Sequence, residues 1–236
     1  MDESNLEAIN LQAINLEAVD VDGAIREGAE EVAGDTRMSF LRKGALAGGA
    51  ALSGGAILSA LIPDVALAAG GRPPAKFGKG DVGILNFALT LEYLERAFYN
   101  QATDSGAITD PRTATFLGVT THDERKHVAY LKKALGRLAV KEPKFNFHGA
   151  TSDQSTFQQV AYVLENTGVH AYLGQAPNIQ SGKVLLAAAS IVTIEARHSG
   201  AIGSIIGKKI NPNGAFDNGL PASAILKAVT GTHFIA

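Results

Sequence analysis

Four short stretches constrain this chain more than anything else in it. They are Glu92 with Tyr99 seven residues later, Glu124-Arg125-Lys126-His127, Glu165 with Tyr172 seven residues later, and Glu195-Ala196-Arg197-His198. In order they read Glu, Glu-x-x-His, Glu, Glu-x-x-His. Each sits in a segment with the pattern of a buried helix. Ile84 to Leu91 precede Glu92, and Leu185 to Ile194 precede Glu195 with no other acid between. Glu is scarce in this half of the protein. After residue 70 there are six, and four of them are Glu92, Glu124, Glu165 and Glu195; the others are Glu95 and Glu142. Solvated helix faces are not decorated in that way. Four carboxylates and two imidazoles aimed at one core are costly unless a positive charge lies between them.

Helical geometry turns the spacing into a site. Positions i and i+3 lie one turn apart on one face, so Glu124 and His127 can grip one ion, and so can Glu195 and His198. Seven residues is two turns, which puts Glu92 and Tyr99 on one stripe, and Glu165 and Tyr172 on another. The two halves match as a duplication, and a two-fold-related bundle places one half-site from each hairpin about a shared centre. The competing reading is a bundle that keeps buried Glu–His and Glu–Arg pairs without metal, using Arg96, Arg125 and Arg197. The chain contains no Cys, so thiolate ligation and disulfides are excluded. A carboxylate–imidazole site selects two ions of iron or manganese, with zinc as a further option.

Around these stretches the helix signals predict an all-α fold. Asp81 is the expected N-cap of a helix reaching Thr103. Asp110-Pro111 starts a second, which runs to Leu138. Ser152 or Asp153 caps a third, which ends near Leu173, and a fourth spans Ser181 to Ile206. A short closing helix covers Pro221 to Val229. Two short-linked hairpins joined by one longer crossover give a four-helix bundle. The crossover, Val140 to Ser152, is short for a segment that must travel the length of a bundle.

The stretch Asp81-Val82-Gly83-Ile84-Leu85-Asn86-Phe87-Ala88-Leu89-Thr90-Leu91-Glu92-Tyr93-Leu94-Glu95-Arg96-Ala97-Phe98-Tyr99, together with the two Glu-x-x-His motifs, resembles the ferritin-like superfamily of di-iron and di-manganese carboxylate proteins. More narrowly, it resembles the exported ferritin-like domain that includes desiccation-related proteins. The resemblance covers residues 81–206. It implies Glu92, Glu124, His127, Glu165, Glu195 and His198 as metal ligands. Glu92 and Glu165 would be terminal, Glu124 and Glu195 bridging, with one His per metal. It implies chemistry with oxygen or peroxide, of the ferroxidase or catalase kind; the alternative is a non-catalytic envelope, stress or assembly protein with a structural or vestigial site. Glu95, one turn after Glu92, either assists or replaces it. Tyr99, Tyr172 and His170 are candidates for contact with the ligands, and Tyr130 is grouped with the two tyrosines as a core filler.

The rest of the chain divides by composition. Residues 1–36 carry ten acidic side chains against Arg26 alone, and residues 5–19 repeat a five-residue unit three times. A step of five smears apolar positions around a helix, so this reads as an acidic, flexible tail, or as a docking segment for a partner. Residues 37–69 have the plan of an export signal: Arg37, Arg42 and Lys43, an uncharged run from Ala45 to Ile62, and Ala66-Leu67-Ala68. Thr36 to Lys43 resembles a twin-arginine signal with Met38 in place of the second arginine. An uncleaved segment would instead serve as a membrane anchor. Residues 70–80 form a linker, and 81–236 are the bundle with its C-terminal extension. The formal charge of −2 gives no indication of a nucleic-acid partner. Gly200, Gly203 and Gly207 on the fourth helix suit close packing or contact with a second copy.

Overall fold

The structure is a computed structural model, and it describes residues 71–235. The acidic repeat, the export-like segment and the start of the linker lie outside the described residues. A 3-10 turn, Ala75–Phe77, leads into α1 (Gly80–Ser105). Then follow α2 (Pro111–Leu135), α3 (Gln154–Gln175), α4 (Gly182–Ile205) and α5 (Ala222–Gly231). Among the described residues there are helices and no named strand; one isolated bridge joins Phe145 and Ile235.

The chain's own capping groups fix these boundaries. Asp110 accepts from the Thr113 amide at 2.8 Å, with Pro111 at the first helical position. Asp153 does the same for the Thr156 amide at 2.7 Å. Asp81 departs from expectation. It lies in the first turn of α1, after the N-cap Lys79, and does not cap its own helix. Its two oxygens accept from the amides of Gln180 and Ser181, at 2.9 and 2.8 Å. It therefore anchors the start of α4, a contact between segments 99 and 100 residues apart that no local pattern encodes.

α1 pairs with α2, and α3 with α4; the hairpins face each other with α1 against α3 and α2 against α4. Polar bridges define the directions. The start of α1 meets the start of α4 through Asp81. Its end meets the crossover, where Ser105 Oγ donates to Thr151 O at 2.9 Å. Gln154, opening α3, accepts from the amides of Thr109 and Asp110 just before α2. α2 and α3 therefore run parallel, and the link between them must traverse the bundle. It begins where Asn86 bonds Leu138 O and Val140 N, and ends at Ser105. That stretch of α1 is roughly 28 Å at 1.5 Å per residue. An extended chain covers roughly 3.3 Å per residue, so about a dozen residues suffice. The crossover is short because Val140 to Phe147 run without helix or turn, and the chain folds into turns only over 148–153.

Its side chains pay back the loss of helix by packing. Phe147 stands edge-on to Phe98 and to Phe234, with ring centroids 5.3 and 5.2 Å apart. Phe98 stacks on Phe157 of α3. Asn146 donates its amide to Phe234 O, tying the C-terminal tail to the crossover. A second apolar cluster, with Leu89, Tyr93, Val128, Leu131 and Ile191, fills the other part of the core. The carboxylate and imidazole side chains of the four stretches are buried within this bundle.

Candidate metal centre

α1 contributes Glu92, α2 Glu124 and His127, α3 Glu165, and α4 Glu195 and His198. All six are buried, and the carboxylates of Glu124, Glu165 and Glu195 are fully so. Their ligand atoms fall into two overlapping sets. Glu92, Glu124, His127 and Glu195 converge with atoms within 4.8 Å of one another, and Glu124, Glu165, Glu195 and His198 do the same. Glu124 and Glu195 belong to both sets. Each set has the donors and the spacing to hold a metal ion.

Donor chemistry supports that fit. Glu124 Oε1, Glu165 Oε2, both oxygens of Glu195 and His198 Nδ1 are buried and make no hydrogen bond. Buried polar atoms in native proteins are nearly always satisfied, and leaving one unmade costs about 1–3 kcal/mol, more for a charged group. Here they cluster and face one another. His127 Nδ1 lies 3.2 Å from Glu92 Oε2, 3.0 Å from Glu124 Oε2 and 3.2 Å from Glu195 Oε1. His198 Nδ1 lies 3.3 Å from both Glu124 Oε1 and Glu165 Oε2. The three arginines that could have neutralised the carboxylates turn away. Arg96 pairs with Glu142, Arg125 donates to Asn100, and Arg197 donates to Thr193 O.

Without a cation, protons carry the balancing charge. Burial and the neighbouring Glu92 push the Glu124 carboxyl up to about 8. Burial, then Glu124 and Glu92, holds Glu195 well above the carboxylate range. Burial lowers the basicity of His198, but Glu165 and Glu124 outweigh it and raise the ring to about 11. His127 is also raised: burial opposes its charge, but the Glu124, Glu195 and Glu92 carboxylates that face its ring nitrogen favour the protonated form. Glu92 goes the other way. Burial drives it up, but contact with His127 wins and leaves it below its ordinary value.

The tyrosines make a crossed pattern. Tyr172 of α3 donates to Glu92 Oε1 of α1 at 2.5 Å, and Tyr99 of α1 donates to Glu165 of α3. Each hydroxyl thus orients the carboxylate of the opposite hairpin, although the seven-residue spacing put it on the stripe of its own. Burial, with the facing carboxylates, pushes both phenols well above their ordinary range.

Glu95 is buried beside the cluster but belongs to neither ligand set. Burial and the charges of Glu195 and Glu165 hold its carboxyl well above the usual range. Its counterpart three residues after Glu165 is Gly168. A Cβ there would sit 3.1 Å from Glu195 Oε2 and 3.4 Å from Glu95 Oε1. The glycine that weakens α3 is the space two carboxylates occupy. His170 is not near the ligands: it contacts Asn218 O in the segment before α5. Tyr130 is half exposed and fills no core. His122 is exposed, and His148 bonds His233 O. Gly200 and Gly203 meet the chain's own Ile210 and Lys209 carbonyls, and Gly203 also meets the Tyr162 ring, so their small size is used within this chain.

Sequence reasoning missed Asp123. Its Oδ2 lies 3.2 Å from His198 Nε2. The available signal was position: Asp123 precedes Glu124 by one residue, which turns it toward the neighbouring helix α4. The cluster is approached by a cleft of about 630 Å³ between α2 and α4, lined by Arg112, Phe116, Val119, Arg197, His198 and Ala201 among others.

Two antiparallel hairpins, an extended crossover and a buried Glu/His cluster at the centre define a helical bundle equipped to hold metal ions. The chain belongs to the ferritin-like domain family, whose model matches residues 80–208, more than half of its length. Among curated proteins no match is found.

Proposed function

We propose that the protein is a di-metal carboxylate protein whose centre reacts with oxygen or peroxide. The sharing of Glu124 and Glu195 between two ligand sets carries this reading. Glu92 with His127 would hold one ion and Glu165 with His198 the other, with Glu124 and Glu195 available to both. Iron or manganese suits the donors best, with zinc as the redox-silent option. When bound, a pair of redox-active ions supplies the two-electron exchange that ferrous oxidation or peroxide breakdown requires.

The chain's own groups supply the rest. Tyr99 and Tyr172 hold the terminal carboxylates in orientation through charge-assisted hydrogen bonds. Glu95, buried beside the cluster with its carboxyl held above the usual range by burial and by Glu195 and Glu165, is the group placed to exchange a proton with the neighbouring carboxylates. The cleft lined by His198 gives small molecules their approach, with the Phe116 ring edge-on to the imidazole. Export and a role in stress protection are proposed on the signal-like segment and on the resemblance to desiccation-related proteins.

The test is to load the chain with Fe(II) or Mn(II), measure bound metal, and follow peroxide consumption and ferrous oxidation. Two ions per chain are expected, with either activity present. Glu124→Ala combined with Glu195→Ala abolishes binding of both. Unchanged metal content in that variant refutes the site. Full metal content without either activity favours a structural metal site.

A further inference from the structure

His198 is held from behind, and His127 is not. Nδ1 of His198 faces Glu124 and Glu165, while its Nε2 meets Asp123 of α2 at 3.2 Å. All contacts of His127 with the cluster converge on Nδ1, and among the described residues no hydrogen bond reaches its Nε2. The duplicated pattern shows why. Asp123 stands immediately before Glu124; the position immediately before Glu195 is Ile194. His198 receives a carboxylate from α2, whereas the position of α4 that matches Asp123 in the duplicated pattern carries Ile194, a residue with no acceptor to offer.

The difference matters to a metal. A carboxylate that accepts the Nε2–H of an imidazole fixes the tautomer, leaves the Nδ1 lone pair facing the ion, and makes that nitrogen a stronger donor. It also holds the ring's orientation before any ion arrives. The side chain of His127 is 11% exposed, and it is held only through Nδ1, the nitrogen that faces the other ligands, with no carboxylate behind it. The other elements of the centre do not offset this. The tyrosine donors are matched across the two halves, one to Glu165 and one to Glu92. The shared carboxylates serve both.

We propose that Asp123 makes the two halves of the centre unequal, so that the Glu165–His198 half holds its metal ion more tightly and fills first. Asp123 is a positioning residue that acts through His198. The inference rests on the di-metal reading above.

Cobalt(II) reports on it without any turnover. The full chain is titrated with Co(II) against a competing chelator, and the visible bands of the bound ion are followed. Two separable steps are expected. Asp123→Asn weakens the first step by about tenfold, the lower end of what loss of such a partner costs. Asp123→Glu, which keeps the carboxylate, retains most of that affinity. Ile194→Asp places a carboxylate behind His127, tightens the second step and narrows the gap between the two. The thermal midpoint of metal-free Asp123→Asn stays near that of the parent, which separates lost affinity from lost fold. Mutual repulsion between two equal sites would also give two steps, but Asp123→Asn would then leave their ratio unchanged. That result, or two equal constants in the parent, overturns the proposal while leaving the di-metal reading intact. A chain that takes up no cobalt overturns both.

Discussion

The titration of single residues links this centre to pH. Glu124, with its carboxyl raised to about 8, binds a proton in the folded chain that an unfolded carboxylate releases near 4.5. His198, raised to about 11, keeps a proton that an unfolded imidazole releases near 6.5. In both, the folded state binds more protons than the unfolded state across the interval, so stability falls as pH rises through it. Glu92, lowered, works in the opposite sense but only in the acid range. The expected outcome is a metal-free melting temperature that declines from pH 5 to pH 9, read by thermal denaturation with chelator present. Metal must displace those protons, so binding strengthens over the same range and releases protons, measurable by calorimetry in buffers of different ionisation enthalpy. At the same scale, Tyr99→Phe leaves a Glu165 oxygen without its donor. A loss of about 1–3 kcal/mol in denaturant unfolding is expected, with metal binding weakened rather than abolished.

Two helical glycines separate propensity from function at the scale of the element. Gly118 lies in α2 with nothing within 4 Å of a built Cβ. Gly118→Ala gains about 0.5–1 kcal/mol through reduced backbone entropy. Gly168 lies in α3 with Glu195 and Glu95 in the way. Gly168→Ala gains the same propensity, but the methyl must displace two carboxylates. A fall in metal affinity is expected there and none for Gly118→Ala, checked by the same metal titration. Equal affinities for both variants would remove the cradle from the account. The sequence marks both positions only as weak points in a helix; what each glycine borders is decided by the opposing elements.

The crossover decides the arrangement of the whole molecule. Phe147 links it by ring contacts both to α1 through Phe98 and to the C-terminal tail through Phe234. Phe147 is 1% exposed, and Phe147→Ala is expected to cost about 3–5 kcal/mol in urea unfolding. The loss should spread to the metal centre, because Phe98 packs against Tyr99, which holds Glu165. Among the described residues no helix is long and apolar enough to cross a membrane.

The all-α class and the rough course of all five helices could be read from the sequence because their causes are local. Caps such as Asp110 and Asp153, the apolar runs and the proline and glycine breaks act within a few residues of where they stand. The four repeated stretches could be picked out for a related reason: burial makes charge expensive, so carboxylates concentrated in apolar helices mark themselves. What could not be read depends on where helices lie relative to one another. Asp81 anchors the approach to a helix about a hundred residues away. The tyrosines reach across the hairpins rather than along their own stripe, His170 faces away from the centre, and Tyr130 faces solvent. Asp123 stands behind a histidine on α4, and Gly168 makes room for carboxylates from α1 and α4. Each is a contact between segments far apart in the chain, and the direction of a side chain across a helix interface is set by the packing angle, which no spacing along one helix contains. The Glu, Glu-x-x-His pattern supplied the members of the cluster, and the resemblance it carries already implied Glu124 and Glu195 as the shared pair, which the two ligand sets match; the tertiary structure decided that only one of the two histidines has a carboxylate at its back.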